Sequence, residues 1–385
     1  MRFVHSSDLQ IGKTFGFFEP DIATLLQNER HAVLNRLGEI AIRHEAPTVL
    51  LAGDIFDKQQ LSNITIKKPI EIMRRFSRVT WHLLPGNHDH LRENGLWERL
   101  ARQLPANVRL HTTPGAVKIT DDMPIYLLPA PLRYISSSDD LTSYMGKEPT
   151  PDGAIRIGVA HGSVRGFGSE GEASNYISPD RAETAGLGYL ALGDWHRQMK
   201  ISERVWYSGT PESDAFKLPP SSSGTMCNGG SALLVEIAGP RAVPAVTPVE
   251  TGRYRWHRVK KVLTDETQIE LLDAELRALD PDLGKVVLDL QVAGALSLAE
   301  RKLFDERVAE SIGAAVCGMR LDDTEIVLDP SEADLDEIDR LGFVRVAADR
   351  LRLLAHDNAD RGSAEIAARA LKRLYLENIR QGGQS

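Results

Sequence analysis

Five short polar strings in this sequence hold side chains that could bind metal ions. Each string comes at the end of an apolar run. They are SDLQ (7–10), GDIFD (53–57), GNHD (86–89), VAHG (159–162) and GDWH (193–196). Carboxylate, amide and imidazole groups in this combination are ligands of divalent cations. The set is large enough to predict a site for two such ions.

The spacing within the strings would bring ligand groups together. Asp8 and Gln10 lie two residues apart, so on extended backbone both side chains would point the same way. Asp54 follows a glycine, which lets the backbone approach a ligand closely. One such string alone is more typical of a turn in which Asp or Asn bonds the backbone. Five strings in this order favour one shared site.

The elements that must position these strings alternate between apolar strands and amphipathic helices up to about residue 240. This alternation predicts an α/β fold with its ligands beyond the carboxyl ends of the strands. Few helices separate the later strands, which favours a mixed sheet or a two-sheet sandwich. The predicted strands lie at 3–4, 49–51, 79–84, 125–128, 155–159, 189–192 and 233–237, and the predicted helices at 21–45 and 65–77.

The chain is predicted to have three parts. Residues 1–240 would form the catalytic domain, and the prolines between Pro240 and Pro248 indicate a boundary or an edge segment. Residues 254–330 alternate strand and helix patterns, which predicts a small α/β capping domain. Residues 331–385 predict a charged linker followed by an amphipathic helix from Ser363 onward.

Composition and charge exclude several classes of protein. The net charge of −8 argues against a broad nucleic-acid-binding surface, so a polyanion site would need a local patch or metal ions. Two cysteines far apart exclude a zinc ribbon and a disulfide framework. The N-terminus has no signal-peptide pattern, and no apolar stretch reaches ~18 residues. We therefore expect a cytoplasmic protein without a membrane span.

The strings and their order resemble the signature of the calcineurin-like metallophosphoesterases. That signature reads D-x-H, GDxxD, GNHD, a lone His and GHxH. The segment SSDLQIGKTFG (6–16), GDIFD and the order of the parts look most like the DNA-repair exonuclease branch, the SbcD and Mre nuclease subunits. The resemblance implies a mixed-sheet metallophosphoesterase sandwich flanked by helices, with a small α/β cap and a helical C-terminal tail.

The resemblance also implies a role for each site residue. The ligands of the first metal would be Asp8, Gln10, Asp54 and His196. Asp54 would bridge to a second metal, whose other ligands would be Asn87, His161 and Asp194. His88 would stabilise the transition-state oxygens or protonate the leaving group. Asp89, together with Asp57, would complete the catalytic set by orienting a histidine or a backbone turn.

The chain departs from the family signature at two ligand positions. Gln10 stands where the signature has its first histidine, and Asp194 stands where GHxH has its first histidine. Glutamine is a weaker ligand than imidazole, whereas Asp194 adds one negative charge. An oxygen-rich site of this kind favours Mn²⁺, with Mg²⁺ as the second choice, over softer ions. The resemblance thus implies a two-metal phosphodiesterase with one weakened position.

Three cations are candidates for contact with a DNA backbone, with an ordinary solvated surface as the competing interpretation. Lys13, Arg133 and Arg165 lie in loops after candidate site strands. The resemblance further implies a coiled-coil ATPase partner of the SMC or Rad type, docked through the C-terminal helix. It also implies a homodimer through residues 65–77 and 96–104.

Three functions stay open from the sequence. The leading one is a metal-dependent DNA nuclease that acts exo- or endonucleolytically in DNA repair. The second keeps the site but hydrolyses a small phosphodiester or phosphomonoester. The third is a weakly active scaffold that binds DNA or an ATPase, and Gln10 is its best support.

Overall fold

The computed structural model describes residues 1–120, 123–166, 175–216, 229–328, 343–355 and 363–374 apart from 365 and 372. The chain divides into two compact units, Met1–Trp256 and His257–Ser385. The first unit contains all five polar strings. The assignment of catalytic, capping and linker domains to these parts stays a prediction.

The described strands of the first unit form two six-stranded sheets. The first sheet has the order β12-β11-β1-β2-β3-β4 and the second the order β5-β6-β7-β8-β10-β9. The strands are β1 (Arg2–Ser6), β2 (Thr48–Ala52), β3 (Thr80–Leu84), β4 (Val108–Leu110), β5 (Val117–Lys118), β6 (Ile125–Ala130), β7 (Ile155–His161), β8 (Tyr189–Gly193), β9 (Met199–Lys200), β10 (Val205–Tyr207), β11 (Ser231–Glu236) and β12 (Ala245–Glu250).

Parallel pairing brings the ends of the central strands to one edge of each sheet. In the first sheet β1 pairs in parallel with β2, and β2 with β3. In the second sheet β6 pairs in parallel with β7, and β7 with β8. Antiparallel strands lie at the margins, including β12 on β11. The predicted mixed-sheet sandwich is confirmed, and the proline-rich segment supplies its edge strand β12, the place in a sheet where proline is tolerated.

The two sheets face each other across a buried apolar layer. Phe3 and Leu50 of the first sheet pack in one cluster with Ile157 and Ala191 of the second. A separate cluster packs the outer face of the first sheet against its helices, and includes Leu34, Val49 and Met73. Strands β2 and β8 are buried along their whole length, which explains their continuous apolar sequences.

Two helices of the first unit begin and end close to the predicted residues, and two short ones were not predicted. The first two are α1 (Pro20–Arg43) and α2 (Asn63–Arg75), and the short ones are α3 (Leu96–Ala101) and α4 (Arg181–Thr184). Helix α1 begins with Pro20 at its first position, where no intrahelical N–H bond is lost. Helix α2 begins two residues earlier than predicted, because the Ser62 side chain accepts a hydrogen bond from the Thr65 N–H and caps it.

In the second unit, a three-stranded sheet of order β13-β14-β15 packs against helices over one apolar core. Asp289 in β14 is fully buried and paired with Arg258 and Arg320. A helix at Phe343–Ala355 lies within the stretch predicted to be a linker, and residues 363–374 include helical pieces where a C-terminal helix was predicted. The elements are β13 (Arg255–Leu263), α5 (Glu266–Arg277), β14 (Val286–Leu296), α6 (Leu298–Phe304, continued by a wider helical turn Asp305–Ile312) and β15 (Gly318–Leu328).

Helices that could cross a membrane are absent from the described part of the chain, where none is both long enough and apolar enough.

A buried histidine pair predicts loss of stability in acid. His82 Nδ1 lies 2.9 Å from His111 Nε2, and the rings stack. Burial lowers the pKa of His82 to about 3 and that of His111 to about 4, and Arg109 adds to both shifts. Below pH 6.5 these two histidines therefore bind protons in the unfolded chain but remain neutral in the folded chain. The pair therefore does not reduce the free energy of unfolding above pH 6.5, and reduces it increasingly as the pH falls toward 4.

We expect the free energy of unfolding to decrease by up to about 1.4 kcal/mol per histidine for each pH unit below 6.5. Urea unfolding at pH 7.5 and pH 5 measures this. His111→Gln should reduce the loss by about 1 to 2 kcal/mol. His44→Ala, at the end of α1, is the control and should leave the loss unchanged. An equal loss in wild type and His111→Gln would contradict the assignment.

Candidate metal centre

The five polar strings meet at one edge of the sandwich. They follow β1, β2 and β3 of the first sheet and β7 and β8 of the second. The ligand atoms of Asp8, Asp54 and His161 all lie within 4.8 Å of one another, and all three residues are buried. Both sheets therefore contribute side chains to the same small volume, as the strand-end rule for α/β sheets predicts.

The backbone that carries Asp8 and Gln10 is not extended, so that prediction from their spacing is wrong. Their φ angles are +53° and +49°, and those of Asp54 and Asp194 are +50° and +104°. The loop after β1 lies along the loop after β2, with Asp8 N–H bonded to Gly53 O and Gln10 N–H to Asp54 O, each at 3.0 Å. These tertiary bonds hold a conformation that non-glycine residues rarely adopt, which is typical of functional sites.

Two glycines of the strings leave room for site residues. A Cβ atom on Gly53, whose φ is +93°, would lie 2.2 Å from His161 Nδ1. A Cβ atom on Gly86 would lie 2.2 Å from Asp54 Oδ1. Any larger residue at either position would displace a candidate ligand. Glycine is therefore required at both positions because a neighbouring strand's side chain occupies the space.

His161 presents one ring nitrogen to the carboxylates. Its Nδ1 lies 2.9 Å from Ala52 O, so Nδ1 carries the hydrogen and donates it. Its Nε2 lies 3.1 Å from Asn87 Oδ1, 3.5 Å from Asp54 Oδ1 and 3.7 Å from Asp194 Oδ1. Burial alone would lower the pKa of His161, but Asp54, Asp8 and Asp194 raise it to about 9. The centre therefore has an excess of negative charge that attracts a cation.

Gln10 lies between the other candidate ligands. Its Nε2 donates to Asp54 Oδ2 at 2.8 Å and lies 3.4 Å from His196 Nε2. Its Oε1 is buried and has no hydrogen-bond partner among the described protein atoms. A buried amide oxygen without a partner is costly unless a cation or a donor group meets it. Gln10 therefore has a free ligand atom, even though it replaces an imidazole.

Asp194 bonds to Ser163, which follows the VAHG string, and to Asp8 of the SDLQ string. Its Oδ2 accepts from Ser163 Oγ at 2.9 Å, and its backbone N–H lies 3.2 Å from both carboxylate oxygens of Asp8. Ser7 Oγ also donates to Asp8 Oδ2, at 2.5 Å. Burial raises the pKa of Asp8, while His161 and His196 oppose this. These donors partly offset the cost of burying the Asp8 carboxylate.

A buried ion network that the sequence analysis missed orients His196. Asp214 accepts from His196 Nδ1 at 3.0 Å, so that Nε2 is the ring nitrogen left toward the site. Asp214 also pairs with Lys13 Nζ at 2.5 Å and with the buried Arg30 at 2.9 Å. Burial would raise the pKa of Asp214, but His196, Arg30 and Lys13 hold it well below its usual range. The string after β10 has the same form of apolar run and polar end, which is the signal that could have found Asp214.

The two predicted catalytic residues of the GNHD string occupy different environments. His88 is half exposed, its Nδ1 donates to Asp57 O at 2.8 Å, and its Nε2 lies 3.9 Å from Asp54 Oδ2. Asp89 is fully buried and accepts from the N–H groups of Gly86 at 2.6 Å and Phe56 at 3.1 Å. Burial and the nearby Asp54 raise the pKa of Asp89 to about 7. Asp89 thus ties two site loops together and has no side-chain contact with a ligand in the described structure.

The three cations predicted to contact DNA differ in their availability. Lys13 forms an ion pair with the buried Asp214, and the sequence analysis did not predict this structural role. Arg133 is exposed, with one long contact of 3.4 Å from Nη2 to Thr112 O. Arg165 is exposed and stacks over the ring of Tyr176, with 5.6 Å from its guanidinium carbon to the ring centroid. DNA contact by any of them remains a prediction.

The residues of the centre fit divalent metal ions. Asp8, Asp54 and Asp194 offer carboxylates, Asn87 and Gln10 offer amide oxygens, and His161 and His196 offer ring nitrogens. Both histidines donate the Nδ1 hydrogen away from the centre, so that each Nε2 faces the other candidate ligands. The free Oε1 of Gln10 and the raised pKa of His161 both indicate a volume that favours positive charge.

A sequence model of the calcineurin-like phosphoesterase family matches residues 1–198. The chain belongs to this family. The matched residues contain all five strings, and they end two residues after the last candidate ligand, His196. Phosphoester hydrolysis with divalent metals is the reaction class that the family assigns to this part of the chain.

Two protein sequences and one solved structure are similar to the chain. An uncharacterized metallophosphoesterase, YhaO of Bacillus subtilis, is 22% identical over 243 residues, which cover 56% of this chain and 54% of YhaO. The chain thus spans about half the length of that relative. The SbcD subunit of the nuclease SbcCD of Rhodobacter capsulatus is 26% identical over 302 residues, 65% of this chain and 70% of that protein. TT1561 of Thermus thermophilus superposes with a TM-score of 0.39 and 11% identity, covering 65% of this chain and 98% of TT1561.

The ion network predicts that Asp214 strengthens metal binding without being a ligand. Asp214→Asn removes the charge that holds His196 Nε2 toward the site, so we expect Mn²⁺ affinity to fall by about 10- to 100-fold. Isothermal titration of the metal-free protein with Mn²⁺ measures this. The matched control is Asp289→Asn, because Asp289 is also buried between cations but lies in the other unit.

The control variant should lose stability and keep its Mn²⁺ affinity, whereas Asp214→Asn should lose affinity at a temperature where it remains folded. Thermal unfolding followed by circular dichroism establishes that temperature. Equal Mn²⁺ affinity in wild type and folded Asp214→Asn would contradict a positioning role.

Proposed function

We propose that the chain is a metal-dependent DNA nuclease that hydrolyses phosphodiester bonds. The observation that carries this proposal is the convergence of carboxylate, amide and imidazole groups from both sheets on one volume, within 4.8 Å for Asp8, Asp54 and His161. Such a centre suits a substrate that develops negative charge on oxygen during reaction. Membership of the phosphoesterase family supports the same reaction class.

The proposed metal ligands form two sets that share Asp54. One set is Asp8, Gln10, Asp54 and His196, and the other is Asp54, Asn87, His161 and Asp194. Bound divalent ions would acidify water and offset the charge of the phosphate. We propose Mn²⁺ as the preferred ion and Mg²⁺ as the second, because oxygen donors outnumber nitrogen donors in the centre.

We propose that His88 donates a proton to the leaving group. Its Nδ1 is held by Asp57 O, and the half-exposed ring can present Nε2 to a bound substrate. Water gives one proton to solvent as its oxygen forms a bond to phosphorus, the bond from phosphorus to the leaving oxygen breaks, and Nε2–H of the protonated ring gives its proton to that oxygen. The Asp57 carbonyl accepts the Nδ1 hydrogen and so orients the ring, which leaves Nε2 as the atom that can face the substrate.

Several features favour DNA over a small ester. The chain is similar over 302 residues to a protein named as a nuclease subunit, and this similarity extends beyond the matched family region. Exposed Arg133 and Arg165 lie in loops that follow β6 and β7 and could meet a polyanion. An ATPase partner of the SMC type, a homodimer, a role in DNA repair and a cytoplasmic location remain parts of this proposal.

The proposal predicts Mn²⁺-dependent cleavage of DNA that requires His88. We expect His88→Ala to lower the cleavage rate of linear duplex DNA by about 10²- to 10⁴-fold, the usual contribution of a general acid. A gel assay with end-labelled DNA measures the rate, and a chromogenic phosphodiester is assayed beside it. His44→Ala, at the end of α1 and ahead of the N-terminal end of β2, is the matched control and should behave as wild type.

The three candidate functions give different results in these assays. Cleavage of DNA that falls in His88→Ala but not in His44→Ala supports the nuclease. Hydrolysis of the chromogenic ester alone would replace it with a small-molecule phosphodiesterase. Absence of both activities in wild type with Mn²⁺ would leave a scaffold that binds DNA or a partner.

The metal preference is tested separately. Removal of metal with a chelator should abolish hydrolysis, and Mn²⁺ should restore it better than Mg²⁺ or Zn²⁺. Gln10→His should shift the preference toward Zn²⁺, because imidazole suits this ion better than an amide oxygen does. Highest wild-type activity with Zn²⁺ would overturn the assignment of Mn²⁺.

A further inference from the structure

Three consecutive residues after β6 expose side chains beside the metal centre. In this ridge, defined as Arg133–Ile135, the side chains of Tyr134 and Ile135 are 72% and 66% exposed. Single exposed apolar side chains are common on protein surfaces, whereas adjoining ones can mark an interaction site. The exposure of an aromatic and an aliphatic side chain together therefore points to contact with something outside the chain.

The ridge is held against the string that contains Asn87 and His88. Leu91 N–H donates to Leu132 O at 2.8 Å, and Leu132 N–H donates to Pro85 O at 3.5 Å. One of these bonds lies just before the GNHD string and the other just after it. Because the backbone just before Arg133 pairs with both ends of that string, the ridge has a fixed position relative to it.

The other side of the ridge is held by Asn175. Its Nδ2 donates to Ile135 O at 3.0 Å, and its Oδ1 accepts from Ser137 N–H at 2.8 Å. The backbone oxygen of Asn175 accepts from Ser163 N–H at 3.2 Å, and Ser163 Oγ in turn bonds Asp194. The backbone of the ridge is thus fixed between two loops that carry candidate ligands, while the side chains of the ridge are exposed to solvent.

The groove beside the ridge suits a planar ring better than a phosphate. This cavity of about 590 Å³ is lined by Pro114, Leu132, Tyr134 and Tyr144, and its charged lining residues are Arg133, Asp139 and Asp140. Asp140 is paired with Arg181, and the charges of Arg133 and Asp139 offset each other, so the cavity has no net positive charge to attract a phosphate. Aromatic faces stack on nucleobases of any sequence, and bases carry no charge.

We propose that Tyr134 stacks on a nucleobase of the substrate strand next to the phosphodiester held at the metal centre. The inference rests on the proposed nuclease function and narrows its substrate to nucleic acid with an unpaired base at this place. Stacking there would fix the strand relative to His88 and the ligands. Tyr134 would be a substrate-binding residue that determines specificity and takes no part in proton transfer.

The test compares single-stranded oligothymidylate with an abasic oligomer of the same length. Two readouts are used: kcat/KM with Mn²⁺, and the dissociation constant measured by fluorescence anisotropy with metal removed by a chelator. We expect wild type to prefer the oligomer with bases by about ten-fold in at least one readout, since stacking on an aromatic ring contributes about this factor per base. Tyr134→Ala should reduce the preference to about one.

Two further variants separate stacking from other effects. Tyr134→Phe keeps the ring and should retain the preference, which a role for the hydroxyl group would not allow. Val243→Ala changes another apolar side chain, 58% exposed, that lies outside the five strings and the ridge, and it should behave as wild type. Hydrolysis of a chromogenic phosphodiester by Tyr134→Ala establishes that the metal centre remains intact.

Failure of this inference is distinguishable from failure of the nuclease proposal. If wild type cleaves DNA and Tyr134→Ala keeps the full preference for bases, stacking by Tyr134 is wrong and the nuclease proposal stands. If wild type cleaves no DNA, the nuclease proposal fails, and anisotropy alone decides whether Tyr134 binds a base. Absence of any base preference in wild type would overturn the inference in both cases.

Discussion

The structure depends on one electrostatic constraint, the burial of several carboxylates around a single point. Asp8 and Asp54 are almost completely inaccessible, and Asp194 lies next to them. Like charges in such a place are costly unless donors and cations compensate them. The serine hydroxyls, backbone N–H groups and histidines around them provide part of this compensation, and the oxygen of Gln10, which has no hydrogen-bond partner among the described residues, is a further candidate ligand. The arrangement makes physical sense as a receptor for positive charge.

The replacement of an imidazole at Gln10 and the gain of a carboxylate at Asp194 act in opposite directions. Gln10 donates to Asp54 and so reduces the charge that this carboxylate presents. Asp194 adds a negative charge, and its carboxylate accepts a hydrogen bond from Ser163. The centre therefore still attracts cations, but part of its negative charge lies at Asp194 while that of Asp54 is reduced.

The sequence predicted the strand ends well because an apolar run followed by a polar string reflects local burial. It predicted the meeting of Asp8, Asp54 and His161, since parallel strands bring their carboxyl ends together. It could not predict the left-handed backbone at Asp8 and Gln10, because bonds to the loop after β2 impose it. Asp214 was missed for a related reason: its partners Lys13 and Arg30 are about two hundred residues away in sequence, and only the tertiary fold brings them together.

The division of the candidate ligands between two sheets has a mechanical consequence. Asp8, Asp54 and Asn87 follow strands of one sheet, whereas His161 ends a strand of the other sheet and Asp194 and His196 follow one. An ion bound by both groups would act as a crosslink across the open edge of the sandwich. By mass action it would favour the closed, folded form over any state in which the sheets separate. The cell's metal supply would then govern how long the protein survives as well as how fast it works.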